Sequence, residues 1–323
     1  MAAITDPLPS TIAAEVKALR TTLDVSIPPK RLDQNLLIGT WNLREFGGLT
    51  EKWKAAASDT PKRDLHALVC IAEILSRFDV VAVQEVTGKL KALRHMLKYL
   101  GPDWNFILTD VTRGAAGNDE RLAFLFDTRR VSLSGLACEL VLPRDALIKD
   151  GAGERQFVRT PYAVSFRSGS RTFILVTLHV IWGDNAAARA PELAAIAKWL
   201  ANWASDMNAY DHNLICLGDF NIDRVGDPLY QAFTSTGLFT PPELNAVPRT
   251  IFYTPGKPET QKHYDQVAWF RDPASSVPVL AMSHVTAGTF DFVPHEMTGL
   301  GLTKQQLSFR ISDHLPLWAE FLL

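Results

Sequence analysis

Asp219 and Asn221 follow the apolar run Leu214-Ile215-Cys216-Leu217-Gly218, a carboxylate and an amide two residues apart at the end of what reads as a buried strand. The same juncture recurs along the chain. Asn42 ends "LLIGTWN", Gln84 and Glu85 end "DVVAVQE", and His179 ends "ILVTLH". Glu120 opens "ERLAFLF", Asp265 opens "DQVAWF", and Asp313 with His314 stands just before "LPLWAEF". Each residue alone has an ordinary role, since Asn and Asp cap turns and a lone His satisfies a local hydrogen bond. Capping explains the whole set poorly. Asn, Asp and Glu oxygens are hard ligands suited to Mg²⁺, which takes few protein ligands and keeps waters for a phosphate substrate. Histidines beside carboxylates are placed to move protons or donate to a phosphoryl oxygen. Hydrolysis of a phosphate ester needs those parts: a cation, an activated water and donors to the phosphoryl oxygens.

The elements that must position these residues alternate between strands and helices. After "LLIGTWN" and a polar loop, Leu65, Leu68, Ala72 and Leu75 line one face of a helix, and "DVVAVQEV" is a second strand. The helix in "GKLKALRHMLKYL" turns Leu90, Leu93, Leu97 and Leu100 inward and Lys89, Lys91, Arg94 and Lys98 to solvent. "LAFLFD", "YAVSFR" and "TFILVTLHV" read as strands, and Pro191 is expected to open a helix containing Leu193, Ile196, Leu200 and Trp203. Continuous apolar strands with amphipathic helices imply sheets covered on their outer faces. Residues 36–323 hold no Pro/Gly/Ser linker and read as one domain. Residues 1–35 stand apart as an N-terminal helical extension, with Ile12, Val16, Leu19 and Leu23 at helical spacing and "SIPPK" as its breaker. Its simplest role is a packing arm.

With 323 residues, 47% hydrophobic and 21% charged, the chain has the composition of a soluble globular protein. Its apolar runs are too short to span a bilayer, and "MAAITDPLPST" lacks the basic start and apolar core of a signal peptide. Cys70, Cys138 and Cys216 lie in apolar surroundings, so buried free thiols and a cytoplasmic location are expected, and their spacing suggests no zinc site. A net charge of −2 argues against nucleic-acid binding by bulk charge and leaves room for a local basic groove.

Taken in order, "WNLREFG", "VVAVQEV", "ERLAFLF", "LVTLH", "GDFN", "HYDQVAW" and "SDHLP" resemble the endonuclease/exonuclease/phosphatase superfamily over about residues 36–323. "SRFDVVAVQEV" and "ERLAFLF" are most similar to its deoxyribonuclease I branch. The resemblance implies an α/β four-layer sandwich, two mixed β-sheets packed face to face with helices on both outer faces. It also implies divalent-metal-dependent cleavage of a phosphate ester, with Mg²⁺ as cofactor and Mn²⁺ or Ca²⁺ as substitutes. Carried over by motif, Glu85 resembles the principal metal ligand, with Asn42 and Asp313 nearby. His179 resembles the histidine paired with a Glu, here Glu120, and His314 the one paired with an Asp, here Asp265. Asp219 and Asn221 resemble the pair that handles the attacking water and the scissile phosphate, and Arg159 resembles a phosphate-contacting arginine.

Three departures bear on substrate. Thr87 stands where that branch has an arginine that enters the minor groove, and Asn118 where it has a tyrosine packed on sugar and base. Arg224 follows "GDFNID" where a disulfide cysteine is expected. The loop at 47–64, with Lys52, Trp53 and Lys54, could shape a substrate groove, although a plain surface loop is the simpler reading. Arg113, Arg121 and Arg155 flank the site, and surface solvation accounts for most such arginines. A nucleic-acid substrate, DNA foremost, a monomer and no stable membrane association are expected. The alternatives are a phosphatase or phosphodiesterase for a small-molecule or lipid ester, and a non-catalytic binding module. The last would be expected to lack one of the hydrolytic residues, and none is missing.

Overall fold

A computed structural model describes residues 2–113, 118–150, 153–183, 186–206, 210–211, 213–271 and 280–323. The first half of the chain gives helix α1 (Ser10–Ser26), strand β1 (Asn35–Phe46), α2 (Leu65–Leu75), β2 (Val80–Thr87), α3 (Lys91–Leu100), β3 (Trp104–Leu108), β4 (Glu120–Asp127) and β5 (Ser132–Glu139). A short hairpin of β6 (Ile148–Asp150) and β7 (Gly153–Arg155) leads to β8 (Tyr162–Ser168), β9 (Arg171–His179) and α4 (Ala186–Ser205). The rest supplies β10 (Leu214–Asp219), α5 (Pro228–Thr234), β11 (Leu238–Phe239), β12 (Asp265–Phe270), β13 (Ser283–Thr289) and β14 (Leu317–Leu322).

Two six-stranded sheets form, in the orders β13-β14-β1-β2-β4-β3 and β11-β12-β10-β9-β8-β5. Each is mixed: β1–β2 and β9–β10 pair parallel, while β1–β14, β2–β4, β8–β9 and β10–β12 pair antiparallel. Alternation along the strands divides the core. Leu36, Ile38, Ala82 and Phe124 meet Phe166, Leu175, Leu217 and Val267 between the sheets. Leu37, Val81 and Leu125 face α1, α2 and α3, and Ile174, Val176 and Cys216 face α4 and α5. This is the α/β four-layer sandwich expected. Strands buried on both faces read as unbroken apolar runs, which is why the central ones were visible in the sequence.

Several local expectations change. The polar residues were read as strand ends, but β1 runs on past Asn42 to Phe46 and β2 past Glu85 to Thr87. The ladder between them shifts register after Asn42, and the β2–β4 ladder shifts between Val83 and Val86. Glu85 sits in the β2–β4 shift with φ +60, and Arg44 and Glu45 sit in the β1–β2 shift with φ +35 and +47. Non-glycine residues held there store strain, and such bulges re-aim side chains beside functional sites. The fourth helix does not open at Pro191 but encloses it. Around the lost backbone bond, Arg189 donates to Asn221 O at 2.6 Å and Glu192 pairs with Arg155 at 2.7 Å, which hold this turn to the body. Cys138 is half-buried rather than buried, and all three cysteines are free. Helix α1 packs Ile12, Val16, Leu19 and Leu23 against the body as expected.

Candidate active site at the strand ends

The sheets bring their polar strand termini to one rim. Asp219 ends β10 and lies beside His179, which ends β9, and beside Asp265, which opens β12. Gly218 makes this possible: at φ +142, a Cβ would stand 2.2 Å from Leu178 O. "GDFN" therefore needs its glycine for the strands to approach closely. Beneath the rim, Gln84 Nε2 of β2 donates to Thr177 Oγ1 of β9 at 2.9 Å and to Thr40 Oγ1 at 3.1 Å, a buried polar tie from one sheet to the other.

Two histidines converge on one oxygen. His314 Nδ1 is 2.7 Å from Asp265 Oδ2, and its Nε2 is 3.8 Å from Asp219 Oδ2. His179 Nδ1 is 3.0 Å from Glu120 Oε2, and its Nε2 is 3.5 Å from that same Asp219 oxygen. Asn42 Nδ2 reaches Asp219 Oδ2 at 3.0 Å and Glu85 Oε1 at 2.8 Å. The backbone N–H of Asn221 fixes the other Asp219 oxygen at 3.0 Å, and its side chain is anchored on Val180 O at 2.7 Å.

Burial opposes charge on all these groups, and partners reverse it on all but Asp265. Burial alone would lower His314, but Asp265 and Asp219 hold it well above the ordinary histidine value. Burial pushes the Asp265 carboxyl up to about 6 against the pull of His314. His179 is raised in spite of burial by Glu120 and Asp219. Glu120 and Asp219 face the same burial and are nevertheless held below the usual carboxylate range, Glu120 by His179 and Arg159, Asp219 chiefly by the two histidines. The pairs thus favour imidazolium beside carboxylate.

The residues expected to hold metal are spread over two contacts. Glu85 lies against Asn42, and Asp313 Oδ2 pairs with Arg44 Nη1 at 3.1 Å. Donor atoms of Glu85, Glu120 and His179 all lie within 4.8 Å of one another. Hard oxygens beside an imidazole, in a rim rich in carboxylates, suit a hard divalent cation. Arg159 is buried with its Nε 2.8 Å from Glu120 Oε2, and it lines the same cleft of about 480 Å³ as His179, His314 and Glu85.

Other residues at the site carry no signal in the sequence. Arg63 comes from the loop at 47–64 and is buried, donating to the carbonyls of Leu43, Arg44, Glu45, Arg310 and Ile311. Burial lowers its guanidinium to about 10, and Glu85, Glu45 and Asp313 pull it back toward charge. Thr60 and Pro61 of that loop border a groove that also holds Glu85 and Arg113, while Lys52, Trp53 and Lys54 do not line it. Arg121 donates to Thr87 O at 3.0 Å, and Arg155 to Glu192. Trp182, Phe252 and Tyr264 form an aromatic wall of the cleft, with Trp182 55% and Phe252 42% exposed. Only their positions in space, after the catalytic motifs, mark them out.

The profile of the Endonuclease/Exonuclease/phosphatase family matches residues 39–314. The chain is 26% identical over 310 residues to a deoxyribonuclease of Thioalkalivibrio sp. (strain K90mix), covering 94% of this chain and 75% of the relative. It is 26% identical over 299 residues to deoxyribonuclease-1 of Sus scrofa, covering 88% and 91%. An endonuclease/exonuclease/phosphatase family protein of Bacteroides thetaiotaomicron superposes with a TM-score of 0.58 at 19% identity, over 89% of this chain and 98% of that one. The chain belongs to the endonuclease/exonuclease/phosphatase family, whose members hydrolyse phosphate esters, typically with a metal.

Proposed function

We propose that this family member is a divalent-metal-dependent phosphodiesterase that cuts DNA, an endonuclease of the deoxyribonuclease I type. The convergence of two carboxylate-held imidazoles on Asp219 Oδ2, at 3.5 and 3.8 Å, is the observation that supports it most. With Nδ1 occupied by Glu120 or Asp265, each histidine offers only Nε2 to a ligand in the cleft. Asp219, held below the usual carboxylate range and oriented by Asn221 N–H, is the base nearest an attacking water. His314 and His179, kept protonated by their partners, donate to phosphoryl oxygens and supply the proton that the leaving alkoxide takes. Arg159 adds a fixed positive charge to the same wall.

Glu85, with Asn42 and Asp313 and with Glu120 and His179 adjacent, would hold Mg²⁺, Mn²⁺ or Ca²⁺. When bound, the ion offsets charge that develops on the phosphoryl group. Trp182 and Phe252, exposed at the rim, give a base an aromatic face on which to stack, which favours a nucleic acid over a simple phosphate. Thr87 and Asn118 stand where deoxyribonuclease I reaches into the duplex, so this wall would take over part of substrate recognition. Residues 1–35 are read as a packing arm outside the catalytic unit.

The test is one panel with Mg²⁺, Mn²⁺ or EDTA on supercoiled plasmid, single-stranded DNA, RNA and bis-p-nitrophenyl phosphate, with Glu85→Ala beside the parent. Metal-dependent nicking of plasmid that Glu85→Ala loses is the expected result. Turnover of the small diester alone would replace the nuclease by a small-ester phosphodiesterase. No metal-dependent turnover of any substrate would leave a binding module.

A further inference from the structure

Away from the cleft, α1 packs on α2 and meets the segment before the short helix Lys304–Ser308. This junction holds a second group of ligand-type side chains. His66 and Cys70 are four residues apart on α2, so they share one helix face. Glu15 comes down from α1, its Oε1 3.1 Å from His66 Nε2, and it also accepts the backbone N–H of Met297. Donor atoms of Glu15, His66 and Cys70 lie within 4.8 Å of one another.

A fourth group points to a ligand independently. Glu296 is 2% exposed, and its carboxylate oxygens meet no N–H or O–H donor among the described residues. Its carboxyl acts directly on the Cys70 thiol and, at longer range, on Glu15. Burial pushes it up to about 8. Burial, with Glu296 beside it, also raises the Cys70 thiol well above its ordinary value. A buried carboxyl that faces only a thiol, a weak donor, is costly. Glu73, one turn beyond Cys70, is by contrast fully engaged, with Arg20 at 2.6 Å and Tyr99 at 2.6 Å.

We propose that Glu15, His66, Cys70 and Glu296 form a structural site for a zinc-class divalent cation that clamps the N-terminal helix to the catalytic body. One sulfur, one imidazole nitrogen and two carboxylates make a four-ligand set of the borderline-soft kind that Zn²⁺ takes and that Mg²⁺ and Ca²⁺ do not. His66 and Cys70 at i and i+4 give two ligands from one rigid face, and two other segments close the shell. Glu296 lies against Cys70, beside the group formed by Glu15, His66 and Cys70, and supplies the fourth ligand. The Glu15 side chain is 19% exposed, which leaves an entry edge on the α1 side. Binding releases the Cys70 thiol proton and the Glu296 carboxyl proton to solvent, so affinity rises with pH. None of the four residues lines the catalytic cleft, so the cation has a structural role.

The test is titration of Co²⁺ into the full-length, chelator-stripped protein. The expected result is saturation at one equivalent with a thiolate-to-cobalt charge-transfer band in the near ultraviolet, displaced by Zn²⁺. The cleft has no thiol to give such a band. Cys70→Ser abolishes it, and Glu15→Gln, on the partly exposed face of α1, weakens Co²⁺ at least ~10-fold without depending on a change in the core. Absence of the band in the parent protein, or its survival in Cys70→Ser, overturns the proposal. So does unchanged Co²⁺ affinity in Glu15→Gln.

Discussion

The two clusters of ligand-type side chains are built from similar residues and differ in what surrounds them. At the strand ends, each imidazole is tied by Nδ1 to a buried carboxylate, and Nε2 is left facing a cleft. Between α1 and α2, His66 meets Glu15 directly, and the buried Glu296 carboxyl faces the Cys70 thiol. The first arrangement keeps one side open to a reacting molecule, and the second is closed by a helix. Open metal sites do chemistry and closed ones hold structure. The difference comes from topology: strand ends share a rim, whereas packed helices leave none.

The largest expected effect separates the clusters by activity. Asp219→Asn and His314→Ala should each lower metal-dependent phosphodiester hydrolysis by at least ~10²-fold, the scale of a lost acid–base group. His66→Gln should leave kcat/KM unchanged in the same assay. Near-normal turnover in either cleft variant, or a collapse in His66→Gln with its fold intact, would erase the distinction.

A smaller effect separates them by stability. A thiophilic chelator, added with Mg²⁺ in excess, should lower the thermal midpoint of the parent by at least about 1.5 °C, the scale of ~1 kcal/mol in a domain of this size. Cys70→Ser should not respond, since it has no thiolate ligand to lose. An equal response in both proteins would break the assignment of the closed cluster.

The smallest effect is one of pH and concerns a histidine beside the open site. His263 stands two residues from Asp265, yet burial and then the Arg249 guanidinium push it down to about 4, opposite to His179 and His314. Its unfolded value is about 6.5. A depressed folded value gives stability that is complete above about 6.5 and lost as pH falls toward about 4, because the unfolded chain takes up the proton first. His263→Phe should therefore flatten the fall of the unfolding midpoint across that window. An unchanged acid slope would show that His263 keeps an ordinary affinity for protons in the fold.

Much of the fold was legible because its central strands are buried on both faces and read as continuous apolar runs. Within the two six-stranded sheets, the strands without a clear sequence pattern are β3, β5, β11 and β13, and all four lie at sheet edges. An edge strand pairs on one side only and exposes alternate residues, as "SLSGLACE" in β5 and "SHVTAGT" in β13 do. That pattern is hard to tell from a loop. The helix around Pro191 was misplaced for a related reason, since tertiary anchors through Arg189 and Glu192 hold a turn that local propensity disfavours.

By itself the sequence determined the layered α/β class, the family, and the carboxylates, amides and histidines at or near the ends of its strands, because residue type and strand period are local properties. Only the tertiary structure decided which of them meet. The convergence of His179 and His314 on Asp219 joins residues from β9, β10 and the segment before β14. The left-handed turn at Glu85, the buried charge of Arg63 and the aromatic wall of the cleft are likewise products of packing. The cysteine spacing showed no metal site, since Glu15, His66, Cys70 and Glu296 come from three distant segments. Ligand geometry is a property of distances in space, and chain order fixes those distances only through the fold.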